Sequence, residues 1–209
     1  MLATIITEEQ WQKLKSILLD LNVYDKPSLK KTFLGIIYRL KTGCQWRYLP
    51  SCYGKANTVF KAFRRWSATG LFYKLFKRLI QSADTEWVSI DATHIRAHQS
   101  SAGAVGGGDQ SIAKSIGGNS SKIHLAVDAH GNPLEFLVGD GITHDIKIAP
   151  MLLQLLDLKD TEFLNADKGY DSEEFRNLAY SKGVRANIPR KKNARTSNSH
   201  MDWLIYQAR

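Results

Sequence analysis

Leu164-Asn165-Ala166-Asp167-Lys168-Gly169-Tyr170-Asp171 is a short run that ends on an aspartate and then turns at a glycine. Val88-Ser89-Ile90-Asp91-Ala92, earlier in the chain, has the same design. Each run has the length and composition of a strand, with its aspartate where the strand gives out. Strand ends at one edge of a sheet can converge. Two aspartates there would offer oxygen ligands to Mg²⁺-like cations, and phosphodiester chemistry benefits from two such ions about 4 Å apart. Aspartate also commonly caps a turn or a helix, so spacing alone leaves both uses open.

Outward from these runs, residues 85–209 read as strands at 87–91, 123–128 and 134–138, with a turn at His130-Gly131-Asn132-Pro133 between the last two. A helix over 145–158, a strand over 162–167, a helix over 173–182, a strand over 184–188 and a helical stretch from about 200 complete the order βββαβαβ. Mixed strands and helices around one sheet give an α/β layer architecture. The segment from Gly103 to Gly118 holds six glycines and reads as a loop. Gly108 to Ser115 resembles a phosphate-binding loop, but Ala113 stands at its second glycine and no strand leads in, which excludes a nucleotide-hydrolysing reading. Asp128 and Asp140 border turns, Asp145 opens a helix and Asp171 caps one. Asp91, His94 and His98 have a spacing open to a transition metal, yet a strand followed by a loop gives them no common face.

Residues 1–84 read differently, as an all-α unit. Thr7 and Gln10 form a capping box ahead of Trp11, Leu14, Ile17, Leu18 and Leu21 at helical spacing. A second helix starts near Ser28, carries Leu29, Phe33, Ile36, Ile37 and Leu40 on one face and ends at Gly43. Asn57 or Thr58 would cap a third, with Phe60 and Phe63 inward and Gly70 closing it, and a fourth runs over 71–82. Lys61, Arg64 and Arg65 share the outer side of the third helix, as a helix seated in a DNA major groove requires. A basic helix face exposed only to water has the same pattern.

Charge separates the two parts. Residues 1–84 hold 15 Lys and Arg against 5 Asp and Glu, a net of +10, and residues 85–209 hold 14 against 15, a net of −1. A concentrated basic patch is the main source of nucleic-acid affinity, whereas a balanced, carboxylate-rich part suits cation binding. The basic tail Arg190-Lys191-Lys192 either contacts phosphates or forms a solvated loop. No run is long and apolar enough for a membrane span, and the start is too short for a signal peptide, so a cytoplasmic, nucleoid-associated protein is expected. Cys44 and Cys52 form neither a CxxC pair nor a zinc-ligand spacing and read as small buried residues.

The stretches Ile90-Asp91-Ala92-Thr93-His94-Ile95-Arg96 and Ala166-Asp167-Lys168-Gly169-Tyr170-Asp171 resemble those of IS5-type transposases in the wider IS4 group. The segment from Ser115 to Pro133, Thr42-Gly43-Cys44-Gln45-Trp46-Arg47-Tyr48-Leu49-Pro50 and Phe63-Arg64-Arg65-Trp66 are similar to the same family, so the likeness covers nearly the whole chain. It implies a ribonuclease H-like mixed sheet with helices on its faces, preceded by a helix-turn-helix-like head. It implies Asp91 and Asp167 as the first two acids of a DDE triad holding two Mg²⁺ (or Mn²⁺) ions. The activity implied is cleavage of double-stranded DNA at the element's terminal repeats and joining to target DNA, by a homo-oligomer on paired ends. The family places its glutamate in a Y-x2-R-x3-E pattern; Tyr206 and Arg209 fit the first two letters, which puts that acid at position 213, beyond Arg209. Glu173 and Glu174 follow Asp167 too closely to replace it. Little strand cleavage by this polypeptide alone is therefore expected, and the alternative is a non-catalytic DNA-binding protein that inhibits or regulates transposition. A metal phosphohydrolase for small substrates leaves the basic head unexplained.

Overall fold

Capping chemistry sets the first helix. The Thr7 hydroxyl accepts from the Gln10 N–H (3.2 Å) and the Gln10 side chain accepts from the Thr7 N–H (2.8 Å), which opens α1 (Glu8–Asp20). The computed structural model describes residues 6–80, 83–97, 111–115, 117–194 and 196–208. Next, α2 (Leu29–Thr42) ends on Gly43, whose φ of 69° is the left-handed cap that glycine adopts without strain. Its buried side includes Leu29, Phe33 and Ile36, while Leu40 in the last turn stays exposed. Two 3-10 turns, Trp46–Tyr48 and Ser51–Tyr53, lead to α3 (Ala56–Ala68), which starts after Lys55 with no side-chain cap, so neither Asn57 nor Thr58 serves as one. Val59, Ala62 and Trp66 are its buried residues, with Phe60 and Phe63 half-buried. Then α4 (Leu71–Leu79) buries Leu71 and Leu75. The chain divides into two compact units, Met1–Gln81 and Ser82–Arg209, each with its own apolar core.

The second unit is built on a six-stranded mixed sheet. Its strands are β1 (Trp87–Arg96), β2 (Ala113–Ser115), β3 (Gly118–Val127), β4 (Pro133–Asp140), β5 (Phe163–Ala166) and β6 (Arg185–Asn187). β3 pairs antiparallel with β1 on one side and with β4 and β2 on the other, while β1, β5 and β6 run parallel. The parallel strands are joined through α5 (Asp145–Leu155) and α6 (Glu173–Ser181), and α7 (Trp203–Gln207) follows β6. β2 lies in the stretch read as a loop, and β1 and β3 are longer than the sequence pattern indicates. Residues 98–110, which hold His98 and most of the glycine-rich stretch, lie outside the described residues.

Alternation assigns the two faces of the sheet. On β3, Ser120, Lys122, His124 and Ala126 are buried and the residues between them only partly so. Ala126 pairs with Ile90, and Ile90 with Ala166. These residues pack with Val88, Leu164, Ala186 and the buried Ala149, Leu152, Leu153, Phe175 and Ala179 of α5 and α6. That is the packed face. By the period of two, Ser89, Asp91, Asn165, Asp167 and Asn187 belong to the opposite face.

Candidate active site on two parallel strands

Ile90 and Ala166 are partners in the parallel β1–β5 ladder, so the residues that follow them, Asp91 and Asp167, are neighbours on adjacent strands and on the same face. Asp167 is still extended (φ −75°, ψ 172°), so the alternation carries through it. Strands in a sheet lie about 4.8 Å apart, which brings the two carboxylates within reach of a shared cation. One oxygen of each is fixed by backbone: Asp91 Oδ1 accepts from the Ala92 N–H (2.8 Å) and Asp167 Oδ1 from the Gly169 N–H (2.7 Å). The second oxygen of each has no protein partner among the described residues. The carboxyl ends of parallel strands are where open α/β sheets place their ligands.

The turn after Asp167, Lys168–Tyr170, packs Tyr170 into the core at 1% exposure with its hydroxyl unpartnered. Burial pushes that phenol well above its ordinary value, and the nearby carboxylates of Asp145, Asp91 and Asp167 push it further in the same direction. Asp145, the first residue of α5, is ion-paired to Lys122 (3.0 Å) and lies 3.7 Å from His124 Nδ1. His124 is fully buried with both ring nitrogens unpartnered; burial lowers its pKa against the opposing pull of Asp145. Lys122, His124 and Tyr170 lie in the family-like stretches but have no role assigned from sequence, although polar residues at alternate positions 120, 122 and 124 mark one face of a strand.

The position of Asp167 is backed by a buried ion network. Asp171 accepts from Arg176 (2.9 and 3.2 Å), from the Lys191 N–H (2.8 Å) and from Arg190 (3.4 Å), and it does not cap α6, whose N-cap is Ser172. Burial pushes the Asp171 carboxyl up, but these hydrogen bonds and charges outweigh it and hold its pKa below the usual value. Arg190 also pairs with Glu173, and Lys191 Nζ donates to the Asp171 carbonyl (3.2 Å), so both cations are engaged by the unit; Arg190 is half-buried, while Lys191 and Lys192 are exposed. On the face of the two aspartates, Asn187 donates to Asn165 (2.8 Å) and exchanges two hydrogen bonds of 2.9 Å with the backbone of Asp202, the N-cap of α7. α7 is therefore tied to the strand face that carries Asp91 and Asp167.

His94 falls on the opposite face from Asp91 and is exposed, so these two share no site. No group of three or more His, Cys, Asp or Glu side chains placed to hold a metal occurs among the described residues. The donor set that does exist, two carboxylates with outward oxygens, fits a hard divalent cation with part of its shell left to water or to other ligands. In the helical unit, Lys61, Arg64 and Arg65 are all exposed on α3. Both cysteines are free, and Cys52 is exposed rather than buried. No helix among the described residues is long and apolar enough to cross a membrane.

Residues 6–76 match a family described as "Putative transposase of IS4/5 family", and residues 82–206 match the transposase DDE domain. The chain is 36% identical over 70 residues to "Uncharacterized protein y4sN" of Sinorhizobium fredii, a match covering 34% of this chain and 56% of that protein. The chain thus spans little more than half the length of this curated relative. Two adjoining family matches, the second covering more than half of the chain and containing both Asp91 and Asp167, make this protein a member of the IS4/IS5 DDE transposases.

Proposed function

We propose that the chain binds the ends of an insertion sequence through its helical unit and that its sheet unit, a ribonuclease H-like domain, carries the DNA-cutting site. The observation that carries this reading is the register that sets Asp91 beside Asp167. Asp91 and Asp167 would hold Mg²⁺ or Mn²⁺, two ions in the complete site. When bound, these ions supply charge neutralisation at the phosphodiester and activation of the attacking oxygen. The chain's own contribution is orientation: the backbone N–H groups of Ala92 and Gly169 fix one oxygen of each carboxylate, and the Asp171–Arg176 pair holds the turn behind them. Lys61, Arg64 and Arg65, on a helix-turn-helix-like head, are assigned to the DNA, with Lys192 as a further phosphate contact. Arg190 and Lys191, already engaged by Asp171, act through the fold. A homo-oligomer on paired element ends is the expected assembly, in the cytoplasm on the nucleoid.

A second reading is regulatory binding without cleavage, which the concentration of positive charge in residues 1–84, a net of +10, also fits. Binding and nicking of a labelled duplex carrying the terminal repeats, in Mg²⁺ or Mn²⁺, separate these. Salt-dependent binding without nicking is expected, with affinity lost in the Lys61→Ala/Arg64→Ala/Arg65→Ala variant. Nicking that Asp91→Ala abolishes would show that the chain completes its own site, and absence of DNA binding would remove both readings.

A further inference from the structure

The helical unit contains a cleft of about 580 Å³. Cations reach it from three directions: Lys26 ahead of α2, Lys61 and Arg65 one turn apart on α3, and Lys74 on α4. All four are exposed, none has a carboxylate partner among the described residues, and no aspartate or glutamate lines the cleft. Four like charges around one concavity repel each other, so the cleft is set up to receive an anion. Thr32, 9% exposed, and the buried Trp66 contribute to the wall. Arg64 is not part of this lining. Its guanidinium lies 5.9 Å from the Phe60 ring, on another flank of α3. The basic residues of α3 therefore divide into a cleft pair, Lys61 and Arg65, and an outlying Arg64.

We propose that this cleft is a phosphate seat that grips the DNA backbone beside α3, leaving Arg64 to face the bases. This rests on the DNA-binding reading of the helical unit. Contacts to phosphate fix the register of a protein on the duplex, whereas contacts to base edges carry the sequence information. The cleft's hydroxyl and ammonium donors match a phosphate, and its size leaves room for the attached sugar. A phosphate ester of a free nucleotide has the same chemistry, so the test includes both sources.

The experiment measures affinity of the full chain for duplexes with and without the element's terminal repeats, over a range of salt. Wild type is compared with Lys26→Ala/Lys74→Ala, Thr32→Val and Arg64→Ala, with circular dichroism confirming that each folds. AMP is the competing small anion. The Lys26→Ala/Lys74→Ala variant should weaken binding equally for every sequence and reduce the slope of log K against log salt by about 2, near 0.9 per lost phosphate contact. Thr32→Val should weaken both duplexes to the same extent. Arg64→Ala should narrow the preference for terminal repeats. Wild-type affinity and slope in the cleft variants, with Arg64→Ala still impaired, would overturn the phosphate seat while DNA binding stands. AMP bound in the cleft without competing against duplex would reassign it to a free nucleotide and overturn the proposal. A wild-type chain that binds neither duplex would remove the DNA-binding reading itself.

Discussion

Arg176→Met is expected to destabilise the sheet unit by roughly 3–5 kcal/mol, the usual cost of removing one partner from a buried ion pair. Arg176 is 3% exposed, and its guanidinium does four jobs: it binds Asp171, it donates to the carbonyls of Ala186 (3.4 Å) and Ile188 (2.6 Å), and it meets His200 at 3.0 Å. Methionine fills similar space but leaves those carbonyls and the Asp171 carboxylate short of donors. Chemical denaturation followed by far-ultraviolet circular dichroism would measure the loss. The pH dependence gives a second readout. The folded pKa of Asp171 is depressed, so its contribution is fully present above the ordinary carboxylate range and is lost as pH falls through the folded value. Arg176→Met raises that folded value, and the acid-unfolding midpoint should move to higher pH. An unchanged midpoint together with an unchanged denaturation curve would show that the network is not holding the turn after Asp167.

Gly141→Ala is expected to cost at least the roughly 1–3 kcal/mol of an overpacked core position. A Cβ there would lie 2.0 Å from Ser120 Oγ and 2.8 Å from the Ser120 carbonyl oxygen. The hydroxyl can rotate away, but the carbonyl belongs to β3 and is paired in the sheet, so the segment leading from β4 to α5 must move instead. Asp145 opens α5 a few residues later, so its pairing with Lys122 should loosen as well. Thermal unfolding measures the first effect. Exposure of Lys122, 8% exposed in the native fold, to amine labelling measures the second. A variant with wild-type melting and a protected Lys122 would mean that the segment accommodates the methyl group locally.

These two positions also show what sequence does and does not reveal. Helices α1, α2, α5 and α6 follow from local signals: a capping box, a glycine stop and apolar residues at helical spacing. β1 runs on from Asp91 to Arg96 with exposed residues, and β2 forms inside a glycine-rich stretch, because both are held by hydrogen bonds to β3 rather than by their own side chains. Both aspartates were legible as candidate ligands, and Asp167 does follow the last residue of β5, but Asp91 lies mid-strand because β1 runs on to Arg96. Their adjacency was implied only by the family likeness, since it depends on the parallel pairing of β1 with β5, two strands far apart in sequence. Asp171 reads locally as a helix cap and Arg190 as a free cation, yet each is the other's partner across the fold. A one-dimensional pattern carries local preferences; partners brought together by the sheet lie outside it.

The most direct test of the cation site is Mn²⁺ binding to the 209-residue chain, with free Mn²⁺ followed by electron paramagnetic resonance. Asp91→Ala and Asp167→Ala are compared with wild type after confirming that each melts like it. If the two carboxylates form one site, each variant alone should lose more than the roughly 10–100-fold that removal of an outer-shell partner costs. Mn²⁺ bound with wild-type affinity by both variants would contradict a site shared between Asp91 and Asp167.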